Sequence, residues 1–328
     1  DYVGGLVGRH RFAKAVTNVS ATGNVTTDGQ EVGGLIGKLQ AGTVTDTFAT
    51  GDVESSSNGY VGGLIGDYRD KNSRSDSLFR NVSAAGEVTG SGDYVGGLIG
   101  RSRTDDNDGT TITDAHATGN VTVAISSREY YAGGLIGIIQ SAGDITDVSA
   151  TGAVNVTDDG RQVGGLIGRL DHERKGNGGR RHPYSLENAS ATGDVTTDGR
   201  YVGGLVGRHR YAKAVTNVSA TGDVTADRNR VGGLIGRLRE GDIRDATASG
   251  DVESSSAGYV GGLIGYYYER EGGQTLERLS ASGEVTGDGR YVGGLIGRAY
   301  SRRGSDLNQA AATGTVTSPE SQVGGVGG

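Results

Sequence analysis

The chain has 328 residues, a formal net charge of -7 and no cysteine, which excludes a disulfide framework, thiolate metal sites and thiol chemistry. Glycine occurs 63 times but proline only twice, at Pro183 and Pro319, which excludes collagen and argues against a glycine- and proline-rich disordered linker. With 15 Tyr, 3 Phe and no Trp, any core must be built mostly from Val, Ile, Leu and Ala, and so be narrow and layered. The mild acidity gives no support for nucleic-acid binding, which usually shows a basic excess, and no apolar run is long enough to span a membrane. Methionine is absent and Asp1 falls inside a repeat, so the chain is expected to be a piece of a longer protein, from which any secretory signal would already be gone.

The first predicted element, from Tyr2, contains Gly4-Gly5-Leu6-Val7-Gly8. The same Gly-Gly-Leu-Ile/Val-Gly block returns from Gly33, Gly62, Gly96, Gly133, Gly164, Gly203, Gly232, Gly261 and Gly293, with a degenerate copy at Gly324. A basic rung of 29 residues with occasional insertions explains every interval. The next predicted element carries an apolar residue (Val16, Val44, Phe79 and equivalents through Leu307) and, two positions on, an Asn or Asp in eight of ten copies. It leads into a second block, commonly Ala-Thr-Gly-Asp-Val-Thr, in which Ala always stands two residues before the glycine and Val two after. Alternation of Val and Thr with small residues marks strands, about three per rung, and no helical stripe is sustained.

One rung cannot bury its own apolar face, whereas stacked copies bury a continuous one. The fold class is therefore all-β, a β-solenoid of about ten rungs occupying residues 1–328 as a single domain. At strand spacing the stack is about 50 Å long. Two columns are expected to face inward: Leu6, Leu35, Leu64, Leu98, Leu135, Leu166, Leu205, Leu234, Leu263 and Leu295, and Val25, Val53, Val88, Val121, Val154, Val195, Val224, Val252, Val285 and Val316. Glycine suits corners through positive φ or close backbone approach, the alanine suits a tight place, and the Asn/Asp column fits turn chemistry. Residues 2–26 nearly repeat at 201–225, an offset of 199, so a six-rung block spanning 2–200 is partly duplicated from 201 onward.

With these blocks in view, the chain resembles the GLUG-motif repeats (Gly-Leu-any-Gly) of large secreted and surface proteins of microbes, adhesin-like proteins among them. The resemblance implies an elongated scaffold, extracellular or on the cell surface of a microbe, and carries no catalytic residues. The His-Glu-x-x-His zinc-protease motif is absent.

No residue is assigned a catalytic, cofactor-binding or metal-binding role. His10, His116, His172, His182 and His209 lack metal-ligand spacing and are read as solvated loop residues. An acidic column (Asp52, Glu87, Asp194, Asp223, Asp251, Glu284) could hold Ca²⁺, but the plainer reading is an exposed stripe balanced by a basic one at Arg9, Lys38, Arg101, Arg169, Arg208, Arg237 and Arg298. Tyr2, Tyr60, Tyr94, Tyr131, Tyr201, Tyr259 and Tyr291 precede the first block and are read as a ladder stacked on itself, the other use being to stack on sugar rings. Possible glycosylation sequons begin at Asn18, Asn24, Asn81, Asn120, Asn155, Asn188 and Asn217, four of them in one column. Insertions at 67–77, 101–111, 123–131, 169–185 and 298–306 are the most individual surface, and Asp171 to Ser185 is the best place for a specific contact.

The expected function is a non-catalytic structural or adhesive solenoid, a subunit or segment of a surface filament, stalk or adhesin. The alternative is a polysaccharide-binding or polysaccharide-cleaving β-helix protein. Uncapped strand edges at both ends lead to the expectation of head-to-tail self-assembly, with cell-surface glycans or a host or neighbour surface as further partners, and no nucleic acid.

Overall fold

The computed structural model describes residues 1–71, 77–104, 109–124, 130–157, 161–171, 184–255, 258–319 and 323–325. These form a β-solenoid of about 9 turns, with no helix among them. Each rung contributes four strands rather than three. In the second rung they are Glu31–Gly33, Ile36–Gln40, Thr43–Ala49 and Val53–Ser55, which join the first, second, third and fourth sheets respectively. The extra strand arises because the glycine-rich block is bent, with Gly34 and Leu35 at the corner and its two halves in different sheets. A β-carbon on Gly33 would lie 2.1 Å from the Ile36 carbonyl oxygen, so the bend closes only over glycine.

Equivalent strands stack in parallel and in register, as in Tyr60↔Tyr94, Val61↔Val95, Gly62↔Gly96. The inward side chains form two separate cores. One, between the second and third sheets, holds Leu35, Ile36, Leu39, Val44 and their equivalents. The other, between the first and fourth, holds Val32, Val53 and theirs. The leucine column from Leu35 to Leu295 is fully buried and the valine column from Val25 to Val285 is at most 7% exposed.

The alanine before the second-block glycine sits at the waist between the two cores. A β-carbon on the second glycine of the first block would stand 3.3 Å from the Ala49 Cβ at Gly34 and 2.9 Å from the Ala150 Cβ at Gly134, and all ten rungs repeat this contact. Larger residues on either side would force the sheets apart. The second-block glycines lie directly on one another: a β-carbon on Gly152 would be 2.1 Å from the Gly119 carbonyl oxygen. Close approach, not positive φ, is thus what these columns require. The positive-φ glycines, such as Gly42 and Gly241, lie instead at the corner between the second and third sheets.

Positive φ within the rung belongs to the Asn/Asp column. Asn18, Asp46, Asn81, Asp114, Asp147, Asn188, Asn217 and Asp245 have φ between 50° and 55°, as do Arg278 and Gln309 at the two exceptions. Asn and Asp tolerate this region best among residues with a side chain. The column lies inside the third-sheet strand, not at a corner, and its effect is to reset the alternation. In Ser77–Ala84, Phe79, Val82 and Ala84 are buried while Arg80 and Asn81 both point outward. One left-handed residue lets both halves of the strand face one core.

Two expectations need correction. Leu6 is 53% exposed and Leu307 43% exposed, because the first and last rungs are stacked on one side only; Val316, in the last rung, is partly buried for the same reason. The insertions begin later than expected, since residues 67–70, 101–104, 169–171 and 298–301 continue second-sheet strands. All open at the corner between the second and third sheets except 123–131, which lies between the fourth and first. Most of Asp171 to Ser185, with His172 and His182, lies outside the described residues.

Leu98→Ala is expected to cost about 2–5 kcal/mol through the cavity it leaves. Gly134→Ala should cost at least about 1–3 kcal/mol, although it adds only one methyl group, because that methyl meets both Ala150 and a backbone oxygen. Urea midpoints of the two variants against the parent chain measure both.

Candidate functional site: an arginine and tyrosine face

The sharp bend brings the outer surfaces of the first and second sheets together. A β-carbon on Gly37 would lie 2.6 Å from the carbonyl oxygens of both Glu31 and Val3. The tyrosine that opens the first-sheet strand therefore meets the basic residue that follows the block. Arg101 lies 3.8 Å from the Tyr60 ring centre and donates from Nη1 to the Tyr60 hydroxyl at 2.8 Å. Arg298 donates to Tyr259 at 2.7 Å and Arg169 to Tyr131 at 3.2 Å. The tyrosines also stack along the coil, Tyr60 on Tyr94 at 5.0 Å and Tyr94 on Tyr131 at 5.2 Å. The basic column thus rests on tyrosines. It does not balance the acidic column: among the described residues no ion pair joins them.

Register adds members to both columns that residue type had hidden. Glu31, Gln162 and Arg230 stand in the tyrosine column, and Asp67, Ile138 and Tyr266 in the basic one. Asp67 is fully buried between two cations of adjacent rungs, with Lys38 Nζ at 2.8 Å and Arg101 Nε at 2.8 Å; Lys38 also reaches Glu31 at 3.1 Å. Burial alone would lower the Lys38 pKa, but Asp67 and Glu31 together raise it. An acid in an otherwise basic column was the sequence signal for this network.

Around the second block the same columns carry no acid. Arg208, Arg230 and Arg237 are half-buried and lie on tyrosine rings: Arg208 5.6 Å from Tyr201, Arg230 5.1 Å from Tyr201 and 5.4 Å from Tyr259, and Arg237 5.7 Å from both Tyr201 and Tyr266. Burial and the neighbouring Arg210, Arg169 and Arg237 push Arg208 down to about 10, against the pull of Asp171. Burial would raise the Tyr201 hydroxyl, but Arg230, Arg237 and Arg208 draw it below its ordinary value. Beside this face, at the corner between the second and third sheets, a polar cleft of about 800 Å³ is lined by Tyr211, Arg239, Glu240, Arg270, Glu271, Gly272, Arg302 and Arg303.

The remaining candidates have structural partners. Carboxylates of the acidic column accept the backbone N–H of the equivalent residue one rung on: Asp52 from Glu87 at 2.9 Å, Asp194 from Asp223 at 2.9 Å and Asp223 from Asp251 at 2.8 Å. Asn24 and Asn120 do the same toward Asp52 and Ala153. No cluster of three or more His, Asp or Glu residues suited to a metal is found among the described residues. Asn81, Asn188 and Asn217 are exposed, and each donates its amide to the residue below it in the left-handed column. Asn18 and Asn155 are exposed as well.

The histidines are not loop residues where they are described. His10 lies on a strand at the exposed first rung. His209 is fully buried in the column of Leu39, Leu170 and Leu238, 5.5 Å from the Tyr184 ring, and neither ring nitrogen has a hydrogen-bond partner among the described residues. Burial lowers its pKa to about 3. The alternation of its strand places it inward, a signal available from its alignment with leucines. His116 lies on the outer face of the third sheet, with Ser149 Oγ 2.8 Å from Nδ1 and Asp114 Oδ1 2.8 Å from Nε2. These are the residue types of a hydrolytic triad, spread over two rungs and missed in the sequence. The His116 and Asp114 side chains are 45% and 50% exposed on a strand face whose amides serve the sheet, so no oxyanion cradle accompanies them.

Two changes probe these interiors. Asp67→Ala should cost about 3–5 kcal/mol by leaving Lys38 and Arg101 unpaired in a buried place. For His209, folding excludes a proton that the unfolded chain binds. Its penalty is absent above the ordinary value of 6.5, grows by about 1.4 kcal/mol per pH unit as pH falls below it, and levels off near pH 3. His209→Leu should flatten that acid limb in urea titrations run across this range.

Comparison with known proteins agrees with the geometry. The GLUG motif is matched at residues 91–122, 129–157, 198–225 and 227–253. Halomucin of Haloquadratum walsbyi (strain DSM 16790 / HBSQ001) is 43% identical over 219 residues, which are 56% of this chain and 2% of that protein. No solved structure matches the chain. The waist glycines and corner leucines described above recur in each matched stretch, and these four stretches of the solenoid are GLUG-motif repeats.

Proposed function

We propose that the chain is a non-catalytic structural segment of an extracellular or cell-surface protein of a microbe, within a filament, stalk or adhesin. One observation carries this reading: every rung adds the same strands to the same sheets and the same columns to the two cores, so the molecule grows by length around a continuous interior. The similarity to a protein named as a mucin, of which the matched stretch is 2%, supports a repeat segment of a long surface chain. Head-to-tail association with further copies belongs to the same reading, because every rung pairs with the next in one parallel register. Sugar attachment at the exposed asparagines would decorate its third and fourth sheets.

Electron micrographs and light scattering of the purified chain should show elongated particles and their end-to-end association. Incubation with polysaccharides and with model esters should give no turnover above buffer. Turnover that survives purification and vanishes in Ser149→Ala would overturn the non-catalytic reading and point to the Ser149–His116–Asp114 cluster.

A further inference from the structure

The two near-identical blocks provide an internal comparison 199 residues apart. Tyr2, Arg9 and Lys38 correspond to Tyr201, Arg208 and Arg237, all aromatic or basic in both. The acids differ: Glu31 corresponds to Arg230 and Asp67 to Tyr266. In the first block Lys38 pairs with Glu31 and Asp67, and Arg101 with Asp67, while Arg9 donates to the amide oxygen of Gln40. In the second, among the described residues, no carboxylate lies within ion-pair distance of Arg208, Arg230 or Arg237. The nearest acid acting on Arg208 is Asp171, which already pairs with Arg169 and Arg210. Three guanidiniums are therefore clustered around the Tyr201 ring, with no carboxylate paired to any of them among the described residues, in a chain whose overall charge is -7.

We infer that this cluster, formed by Arg208, Arg230 and Arg237 with Tyr201, Tyr259 and Tyr266, binds an acidic polysaccharide, a sugar chain bearing carboxylate or sulfate groups. Guanidinium forks match such oxyanions in geometry and charge, and a bound anion relieves the mutual repulsion of the three cations. Tyrosine hydroxyls beside them offer hydrogen bonds to sugar hydroxyls. A single-stranded nucleic acid fits less well, because base recognition needs open aromatic faces and here guanidiniums cover them. Burial is the largest cause of the lowered Arg208 value, with Arg210, Arg169 and Arg237 adding to it, and Arg230, Arg237 and Arg208 lower Tyr201 against the effect of burial. This inference goes beyond the structural role and is independent of it, since a catalytic chain could carry the cluster equally well.

The test is binding of the full chain to heparin (sulfated) and alginate (carboxylated), with neutral dextran and single-stranded DNA as comparison probes. It is run at about 0.1 M salt, where screening extends over about 10 Å. Heparin and alginate are both expected to bind, and more weakly as salt rises. Binding of heparin alone would narrow the ligand to sulfated chains and still support the proposal. Arg230→Glu, which restores the acid found at Glu31, should weaken binding by about tenfold or more, while Arg80→Ser, on the exposed face of the third sheet, should leave it unchanged. Should Arg230→Glu fail to fold by circular dichroism, phenylglyoxal modification of the native chain replaces it, with heparin expected to protect Arg208, Arg230 and Arg237. No binding of either acidic chain, equal binding of dextran, tighter binding of DNA, unaltered affinity in folded Arg230→Glu, or protection only of other arginines would overturn the proposal.

Discussion

The contact between a glycine and an alanine methyl at the waist sets the shape of every rung. With a β-carbon on Gly134 only 2.9 Å from that of Ala150, the first and third sheets approach as closely as backbone allows. That approach divides the interior into a leucine-rich core and a valine-rich core, each filled mainly by aliphatic side chains, with Tyr68, Phe79, Tyr184 and Tyr267 in the first and Tyr130 in the second. The same glycine pair permits the bend that folds the second sheet back against the first. The tyrosine and arginine face is a consequence of that bend, since its two columns are separated by the whole glycine-rich block in sequence and meet only when the block turns.

Stacking then converts each position into a column, and each column answers a local physical requirement. The acidic ladder accepts backbone N–H groups from the next rung. The left-handed Asn/Asp ladder lets one strand serve a single core from both its halves. Where a column departs from its habit, the structure answers beside it: Asp67 among cations is paired from both sides, whereas His209 among leucines is left neutral and unpartnered. The first arrangement compensates a buried charge; the second depends on never acquiring one.

Much of this was legible in the sequence, because periodicity exposes what a single copy hides. The solenoid, its rung length and its inward columns follow from residue types recurring at fixed intervals. The fourth strand did not, since strand patterning is read from side chains and Gly34 has none. The face was legible only as two unrelated columns, and reading arginines against acids gave the wrong neighbour for them. Members such as Glu31, Asp67 and Arg230 were lost because a column was defined by its majority residue, although its exceptions carry the charge balance. His209 looks like a loop residue in the sequence because no apolar run marks the strand as continuing past the glycine-rich block.

The parallel ladders have a mechanical meaning. Their hydrogen bonds run along the coil axis, three paired residues deep in the first and fourth sheets and up to seven in the third. A tensile load applied lengthwise stretches all four ladders at one rung boundary simultaneously, so the bonds share the force and must fail together. A hairpin pulled from its open end gives way one bond at a time; this molecule has no such starting point along its flank. Its resistance to stretching is set by its weakest boundary and does not fall merely because more rungs are added, a useful property in anything that must transmit force over distance.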